Sequence, residues 1–175
     1  VTGGSGFLGA QLCMELISSN HEVVVLDNFS RSTTERLLAK NLNIQFIEGD
    51  VCDYQSVKNA LKGCDYLWHL AFINGTRFFY EKPDLVLEVG LKGALNTIEA
   101  ALEVGINRYV LASSSETYNE PEQIPTNENE RLVIPDILNP RFSYGGGKIA
   151  SELLAIHFGA RRGLDTVIFR PHNFI

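Results

Sequence analysis

A glycine-rich turn near the start of the chain constrains the fold more than any other stretch. Gly3, Gly6 and Gly9 lie between the stub of a strand and a helical pattern that begins at Phe7. Such a turn needs glycine for positive φ, for close approach of backbone N–H groups to a pyrophosphate, and for tight helix–strand packing. The N-terminus of the helix adds partial positive charge and free donors. The turn therefore predicts a phosphate-binding site, with an ordinary tight turn as the alternative.

Asp27 favours the phosphate-binding interpretation. It follows the apolar run at residues 23–26, which is typical of a strand buried on both faces. It lies about 20 residues beyond the turn, where a carboxylate can accept a hydrogen bond from the 2′-hydroxyl of an adenosine ribose. The same carboxylate would repel a 2′-phosphate, so we expect NAD rather than NADP. Arg31 is the counter-argument, because it is near enough in sequence to receive that phosphate.

The composition is that of one folded domain with an acidic balance. The chain has 175 residues, of which 45% are hydrophobic, and this is enough for a single core. Its formal net charge of −6 argues against a nucleic-acid partner, because phosphate binding depends on clustered lysine and arginine. No apolar run is long enough to span a bilayer, and the chain does not open like a signal peptide. We therefore expect no membrane partner.

Cysteine and histidine usage indicates a reducing compartment and no metal site. Cys13, Cys52 and Cys64 form no C-x-x-C motif and cannot all pair, which favours the cytoplasm. The four histidines are scattered along the chain, so we expect no bound metal.

Apolar strand patterns alternate with helical patterns along the chain. The expected strands cover residues 22–26, 44–48, 66–70, 108–112 and 166–170, after the stub at residues 1–2. The expected helices cover residues 7–19, 33–40, 54–62, 83–104 and 143–160, with Asp53 as the cap of the third. This order is typical of an α/β fold with a doubly wound parallel sheet, whose ligands bind at the carboxyl ends of the strands. Both ends look cut, so we expect a fragment of a longer protein.

Tyr144 and Lys148 place a phenol and an ammonium one helical turn apart on the same face. A free tyrosine titrates near 10, and lowering its pKa to about 7 takes roughly 4 kcal/mol of differential stabilisation. We expect Lys148, together with a positively charged nicotinamide, to supply this stabilisation. The intervening glycines at 145–147 predict either a slack first turn or the close approach of a ligand or a neighbouring backbone.

A long loop at residues 119–141 lies between the strand pattern at residues 108–112 and the helix that carries Tyr144. It is rich in proline and in acidic residues. Long irregular loops in compact domains are often functional, and a solvated connection is the alternative.

A series of short motifs gives the chain its family resemblance. In order, they are Thr2–Gly9, Asp27–Asn28, Gly49–Val51, His69–Ala71, Ser113–Tyr118, Tyr144-x-x-x-Lys148 and Arg170–Asn173. Together these motifs resemble the extended short-chain dehydrogenase/reductase family, whose members are nucleotide-sugar epimerases, dehydratases and decarboxylases. The resemblance covers essentially the whole chain. It implies a Rossmann fold over residues 1–175, NAD as cofactor, a nucleotide sugar as substrate, and a C-terminal substrate domain that this chain lacks.

The resemblance also implies a role for particular residues. Tyr144 would take the proton from a sugar hydroxyl while hydride leaves the same carbon for NAD⁺, and Lys148 would hold the nicotinamide ribose. Ser114 would hydrogen-bond the reacting oxygen. From the pyrophosphate to the nicotinamide, the implied cofactor-binding residues are Gly3, Gly6, Phe7, Leu8, Gly9, Asp27, Asn28, Asp50, Val51, Leu70, Ala71, Tyr144, Lys148 and His172. The implied substrate-binding residues are Ser115 and Asn173.

Several reactions are compatible with this resemblance. Epimerisation at C4 is the first expectation, because it needs only hydride and proton transfer at one carbon. Decarboxylation of a sugar acid is the second, since the decarboxylases also have Ser-Glu at the positions of Ser115 and Glu116. Dehydration is third, because the dehydratases place an aspartic acid at position 115. Glu116 would orient the sugar or exchange its C5 proton, or it is a solvated bystander. A non-catalytic NAD(P)-binding regulator is the alternative from another class, and Tyr144 with Lys148 argues against it.

Three positions depart from the family pattern. The family usually has an asparagine where this chain has Gly90, so a water relay from that amide to the lysine would be altered here. Phe72 and Asn119 stand where smaller residues are usual.

The helix that carries Tyr144 is apolar on more than one face. One face should cover the sheet, and the other needs a partner. We therefore expect a homodimer, and the resemblance implies the helix after Pro83 as the second element of the interface.

Overall fold

The computed structural model describes residues 1–31 and 44–172, and its strands form a parallel sheet. The strands are β1 (Val23–Asp27), β2 (Ile44–Glu48), β3 (Tyr66–His69), β4 (Arg108–Ala112) and β5 (Asp165–Phe169). β1 pairs with β2, and β4 lies between β3 and β5, with every pairing parallel. Thr2 bridges Leu26 on one side and His69 on the other, so the stub joins the two groups in the order β2–β1–Thr2–β3–β4–β5. The predicted α/β class is confirmed, and each strand agrees with its prediction to within one residue.

Helices connect these strands. They are α1 (Phe7–Ser18), α2 (Tyr54–Ala60), α3 (Thr76–Glu81), α4 (Pro83–Val104) and α5 (Ser143–Leu153). α5 continues as a π-helical turn at Leu154–Gly159 and a 3₁₀ turn at Ala160–Arg162, and shorter 3₁₀ turns lie at Ser115–Thr117 and Pro140–Phe142. The helix expected at residues 33–40 lies outside the described residues.

Local chemistry explains where the helices begin and end. The Asp53 side chain accepts the N–H of Gln55 at 3.0 Å, which confirms the predicted cap of α2. α4 begins at Pro83, whose ring fixes a helical φ, and ends before Gly105, whose φ of 79° is left-handed. α3 was not predicted, because its short aromatic run has no clear helical period. The burial of Phe79 against the neighbouring elements holds it in place.

The core lies on both faces of the sheet. Side chains alternate between the two faces along a strand, so Val25 and Leu26 of β1 point to opposite sides. Val25 packs with Ala10 and Cys13 of α1, and burial raises the pKa of the Cys13 thiol to about 11. Leu26 belongs to the larger cluster beneath α2 and α4. The sheet is therefore wound on both faces, as the sequence predicts.

In the described part of the chain, no helix is both long enough and apolar enough to cross a bilayer.

Candidate active site

A cavity of about 430 Å³ opens at the carboxyl ends of the strands. It runs from the glycine turn, past the ends of β1 and β2, to the loop after β3 and the first turns of α5. All but one of the predicted cofactor-binding residues line it, and the exception is His172. The edge of the sheet that the sequence predicts as the ligand site is therefore the edge that holds the cavity.

The glycine turn leaves no room for side chains. Gly3 has a φ of 68°, and a Cβ there would lie 2.8 Å from the Ala71 nitrogen. A Cβ on Gly9 would lie 2.2 Å from the Gly3 carbonyl oxygen, so helix α1 can pack on the turn only without one. The turn thereby brings backbone donors and the N-terminus of α1 to the cavity wall, which fits a pyrophosphate.

Asp27 ends β1 with its carboxylate at the cavity. Its Oδ2 accepts the N–H of Ser5 at 3.0 Å, and its Oδ1 accepts the N–H of Phe29 at 2.9 Å. These bonds fix the carboxylate between the glycine turn and the next loop. A carboxylate is an acceptor of the kind that a ribose hydroxyl requires, so Asp27 fits its predicted role.

Asp50 and Asn28 join the ends of β2 and β1. The Asn28 amide donates to Asp50 Oδ2 at 3.0 Å, and the Cys52 N–H donates to Asp50 Oδ1 at 2.8 Å. Burial opposes the charge of Asp50, but these hydrogen bonds hold its pKa below the usual value. The part of the cavity beside Asn28 and Asp50 is therefore a polar surface held by hydrogen bonds.

Arg31 reaches across the mouth of the cavity. Its guanidinium donates to the Asn74 carbonyl and lies 4.8 Å from the centre of the Phe78 ring. Arg31, which is near enough in sequence to receive a 2′-phosphate, is therefore bound to other groups in this structure.

Tyr144 lies at the other end of the cavity and is only 7% exposed. Its ring lies between Phe72 and Phe79, with centroids 5.2 Å and 5.0 Å away. Burial raises the pKa of Tyr144, the neighbouring Ser114 side chain partly offsets the rise, and the charge of Glu116 adds to it. Burial therefore dominates in the protein alone, and the lowering of this pKa by Lys148 together with a bound nicotinamide stays a prediction.

Lys148 is also buried, with 3% of its surface exposed. Its Nζ donates to the Ala112 carbonyl at the end of β4 at 2.6 Å and lies 3.9 Å from the centre of the Phe72 ring. Burial lowers the pKa of Lys148 to about 7, with the charge of Glu152 acting in the opposite direction. Lys148 therefore carries only part of its charge at neutral pH, which weakens its effect on Tyr144.

Glu116 lies beside this end of the cavity, in the 3₁₀ turn after β4. Its Oε2 accepts from Arg141 Nη1 at 2.8 Å, and about one third of each side chain is exposed. Ser115 in the same turn donates its N–H to the Pro171 carbonyl at 3.0 Å. Ser114, Ser115 and Glu116 are not among the residues that line the cavity.

His172 lies next to the cavity without lining it. Pro171 lines the cavity, and its carbonyl accepts the Ser115 N–H, whereas His172 is exposed. The place of His172 near the nicotinamide stays a prediction. Asn173, the other residue predicted there, lies outside the described residues.

The glycines at 145–147 fit a close approach of neighbouring chain. A Cβ on Gly145 would lie 3.0 Å from the Glu116 carbonyl oxygen, and one on Gly146 would lie 3.3 Å from the Ile134 side chain. The first turns of α5 thus press against the loop after β4 and against residues 119–141.

A buried ionic network behind the site was not predicted. Arg170 binds both oxygens of Glu152, at 2.8 Å and 2.7 Å, and Ser113 donates to the same carboxylate. Arg170 also donates to the Tyr118 hydroxyl at 2.9 Å and to the Glu128 carbonyl at 3.1 Å. The available signal was the spacing of Glu152, one turn beyond Lys148 on the buried face of one helix.

Metal ligation finds no support in this geometry. Within residues 1–31 and 44–172, no group of three His, Cys, Asp or Glu side chains is arranged to hold an ion.

The parallel sheet, the glycine turn at its carboxyl edge and the buried tyrosine–lysine pair define a dinucleotide-binding domain of the short-chain dehydrogenase/reductase type. The family model "NAD dependent epimerase/dehydratase family" matches residues 1–175. The chain belongs to this family, and its cofactor is NAD.

Curated relatives include two kinds of enzyme. UDP-glucuronic acid decarboxylase 1 of Arabidopsis thaliana is 33% identical over 175 residues, covering 99% of this chain and 39% of the relative. UDP-glucose 4-epimerase of Streptomyces lividans is 29% identical over 170 residues, covering 95% of this chain and 49% of the relative. The chain thus spans about half the length of these relatives or less.

A solved structure shows the same fold with the cofactor bound. UDP-glucose 4-epimerase of Thermus thermophilus, in complex with NAD, superposes with a TM-score of 0.83 at 27% identity. The match covers 97% of this chain and 53% of that one.

Proposed function

We propose that the protein oxidises a nucleotide-activated sugar at C4 and returns the hydride to the other face of the ring, as an epimerase. The observation that carries the proposal is the buried Tyr144–Lys148 pair at the inner end of the cavity, with both side chains packed against Phe72. Bound NAD would supply the hydride acceptor and a positive charge on its nicotinamide ring. The relatives named above act on UDP-sugars, which supports UDP as the nucleotide.

The chemistry of the chain's own residues follows from their positions. Tyr144 takes the proton of the C4 hydroxyl as the C4–H bond breaks, and Ser114 donates a hydrogen bond to the oxygen that becomes the ketone. Because burial raises the pKa of Tyr144, its proton transfer depends on nearby positive charge, which Lys148 supplies in its ammonium form. Return of the proton from Tyr144 to that oxygen completes the cycle, with C4 inverted and no net oxidation.

Glu116 favours epimerisation over reactions that need a base at C5. An ion-paired carboxylate is a weaker base than a free one, and Arg141 binds Glu116 at 2.8 Å. Ser115 has no acidic proton for a departing water, so dehydration ranks third.

Decarboxylation of a sugar acid is the second candidate. It begins with the same oxidation at C4, and it is favoured by the Ser115–Glu116 pair and by a decarboxylase relative at 33% identity. A regulator without activity is a weaker candidate, because it would have no use for the Tyr144–Ser114–Lys148 arrangement.

Product analysis of the intact protein tests this ranking. The protein with NAD is incubated in D₂O with UDP-glucose, UDP-N-acetylglucosamine or UDP-glucuronic acid, and proton NMR follows the sugar ring. We expect the C4 epimer without deuterium at C5, and equal turnover in Glu116→Gln and in the matched surface variant Glu120→Gln. Release of CO₂, or loss of turnover in Glu116→Gln alone, would overturn epimerisation in favour of decarboxylation.

The partner that we propose is a second copy of the chain. Leu153 and Ile156 are 53% and 43% exposed on the helix that carries Lys148, and Leu87 of α4 is 36% exposed. Leu153→Lys should shift the intact protein from dimer to monomer in sedimentation, whereas Ile137→Lys on the distant loop should not. A wild-type mass that stays monomeric at every concentration would exclude the dimer. A cytoplasmic location remains our proposal, supported by three free thiols.

A further inference from the structure

Phe72 contacts both members of the tyrosine–lysine pair. The centre of its ring lies 3.9 Å from Lys148 Nζ, so the ammonium stands over the ring. The ring also meets Tyr144 at an interplanar angle of 82°, in an edge-to-face arrangement. Both geometries are attractive, because the face of an aromatic ring is negative and its edge is positive.

Two glycines make room for this ring. A Cβ on Gly90 of α4 would lie 2.4 Å from Phe72 Cζ, and a Cβ on Gly147 of α5 would lie 3.2 Å from the same atom. We call Gly90 and Gly147 the glycine socket. Glycine is unfavourable inside a helix, and contact with the Phe72 ring gives a reason for a glycine in both α4 and α5. Any side chain at position 90 would expel the ring.

The glycine socket relates two departures from the family pattern. The family usually has an asparagine at position 90 and a smaller residue at position 72. In this chain the ring of Phe72 fills the space that a side chain at 90 would take. Phe72 and a side chain at position 90 would therefore compete for the same space.

We propose that Phe72, seated in the glycine socket, is a positioning residue that holds the Lys148 ammonium beside Tyr144 in place of a side chain at position 90. The proposal rests on the proposed function only in giving Lys148 the task of holding the nicotinamide ribose. Phe72 would act through Lys148 and would have no chemical step of its own.

The surroundings of Lys148 explain why such support matters. Burial disfavours its charge and lowers its pKa to about 7. Glu152 lies one turn further along α5 and favours the charge, but Arg170 binds both oxygens of that carboxylate. His69 on β3 stays neutral, since burial lowers its pKa to about 3. The Ala112 carbonyl at 2.6 Å and the Phe72 face at 3.9 Å are therefore the groups in direct contact that stabilise the ammonium.

The variant Phe72→Leu removes the aromatic face and keeps an apolar side chain. Calorimetry would measure NAD binding to the intact protein from pH 5 to 9. NAD affinity should decline as pH rises through the pKa of Lys148, and in Phe72→Leu the midpoint should move to lower pH by about one unit. At pH 7, we expect roughly fivefold weaker NAD binding, because the ammonium fraction of Lys148 falls by about that factor. A midpoint that stays in place or moves to higher pH would overturn the proposal.

The glycine socket is tested by a double-mutant cycle. Gly90→Ala should weaken NAD binding at least about fivefold in the wild-type background and less than about twofold in the Phe72→Leu background. Gly146→Ala, next to the socket on α5 but facing Ile134, is the control and should have little effect in either. Equal effects of Gly90→Ala in both backgrounds would overturn the coupling.

Thermal unfolding separates positioning from loss of the fold. A variant that unfolds cooperatively yet shows the shifted pH midpoint supports the proposal. For a variant that does not fold, the milder Phe72→Met provides the same comparison. Because NAD binding is the readout, the result does not depend on which sugar is turned over. Absence of sugar turnover in the wild type would instead contradict the proposed function alone.

Discussion

The two ends of the cavity are built by different means. The adenosine end consists of backbone and fixed carboxylates, with Gly3, Asp27 and Asp50 held by hydrogen bonds from neighbouring main chain. The reaction end consists of buried side chains, with Tyr144 and Lys148 packed against aromatic rings. The first follows the family motif closely, and the second departs from it at Gly90. The adenosine end must fit the cofactor that the family has in common. At the reaction end, one packing arrangement can replace another.

The largest expected effect separates chemistry from cofactor binding. Tyr144→Phe should lower kcat about 10³-fold, because a positioned acid–base group contributes on that order. NAD affinity should stay within about twofold of the wild type, since the adenosine end is untouched. Steady-state kinetics and calorimetry measure the two quantities, and Tyr80→Phe on exposed α3 is the control. A parallel loss of NAD affinity would contradict the separation of the two ends.

The next largest effect concerns the support beneath the reaction end. Glu152→Gln should lower the free energy of unfolding by about 3 kcal/mol, because it leaves Arg170 with an uncompensated charge. Glu88→Gln breaks an exposed pair with Lys92 and should cost less than about 0.5 kcal/mol. Urea unfolding gives both values. Similar small losses in the two variants would show that the buried network contributes little.

The reaction end should also cost stability in a pH-dependent way. The pKa of Lys148 is lowered from 10.5 to about 7, so the unfolded chain binds more protons between these values and stability rises with pH across that window. Lys148→Met should therefore raise stability at pH 7 by about 1–2 kcal/mol and reduce the slope. Lys62→Met on the surface should do neither. Denaturant unfolding at pH 7 and pH 9 measures how the free energy of unfolding changes with pH. The same change in Lys148→Met as in the wild type would show that Lys148 is not its source.

The smallest expected effect concerns the preference for NAD over NADP at the adenosine end. The intact protein should bind NAD at least about tenfold more tightly than NADP, because the Asp27 carboxylate repels a 2′-phosphate. Asp27→Asn should narrow this ratio, whereas Asp65→Asn should not change it. Titration with both cofactors is the measurement. Tighter binding of NADP would show that Arg31 leaves the Asn74 carbonyl to receive the phosphate.

Sequence reasoning succeeded where local pattern decides the structure. The strands at 44–48 and 108–112 were predicted from apolar runs, and the helix α4 was predicted with a proline in its first turn. It failed where tertiary contacts decide. α3 exists because Phe79 is buried, and the chain after α5 relaxes into a π-helical turn that no periodicity shows.

The same division holds within the site. Residues of the glycine turn could be placed because their spacing reflects backbone geometry. The raised pKa of Tyr144 and the Glu152–Arg170 pair depend on burial and on distant partners, which spacing does not reveal. The match between Phe72 and Gly90 was visible only as two separate oddities, because nothing in the sequence shows that a ring on one element fills a gap in another.

Residues 1–3 join the two groups of strands. Val1 and Gly3 make main-chain hydrogen bonds to Leu26 on one side, and Thr2 makes them to Trp68 and Leu70 on the other. These residues lead directly into the glycine turn that would bind the pyrophosphate. A bound anion would stabilise the main-chain hydrogen bonds of these residues and slow their amide exchange first. The protection of these few amides would therefore report cofactor occupancy before any helix responds.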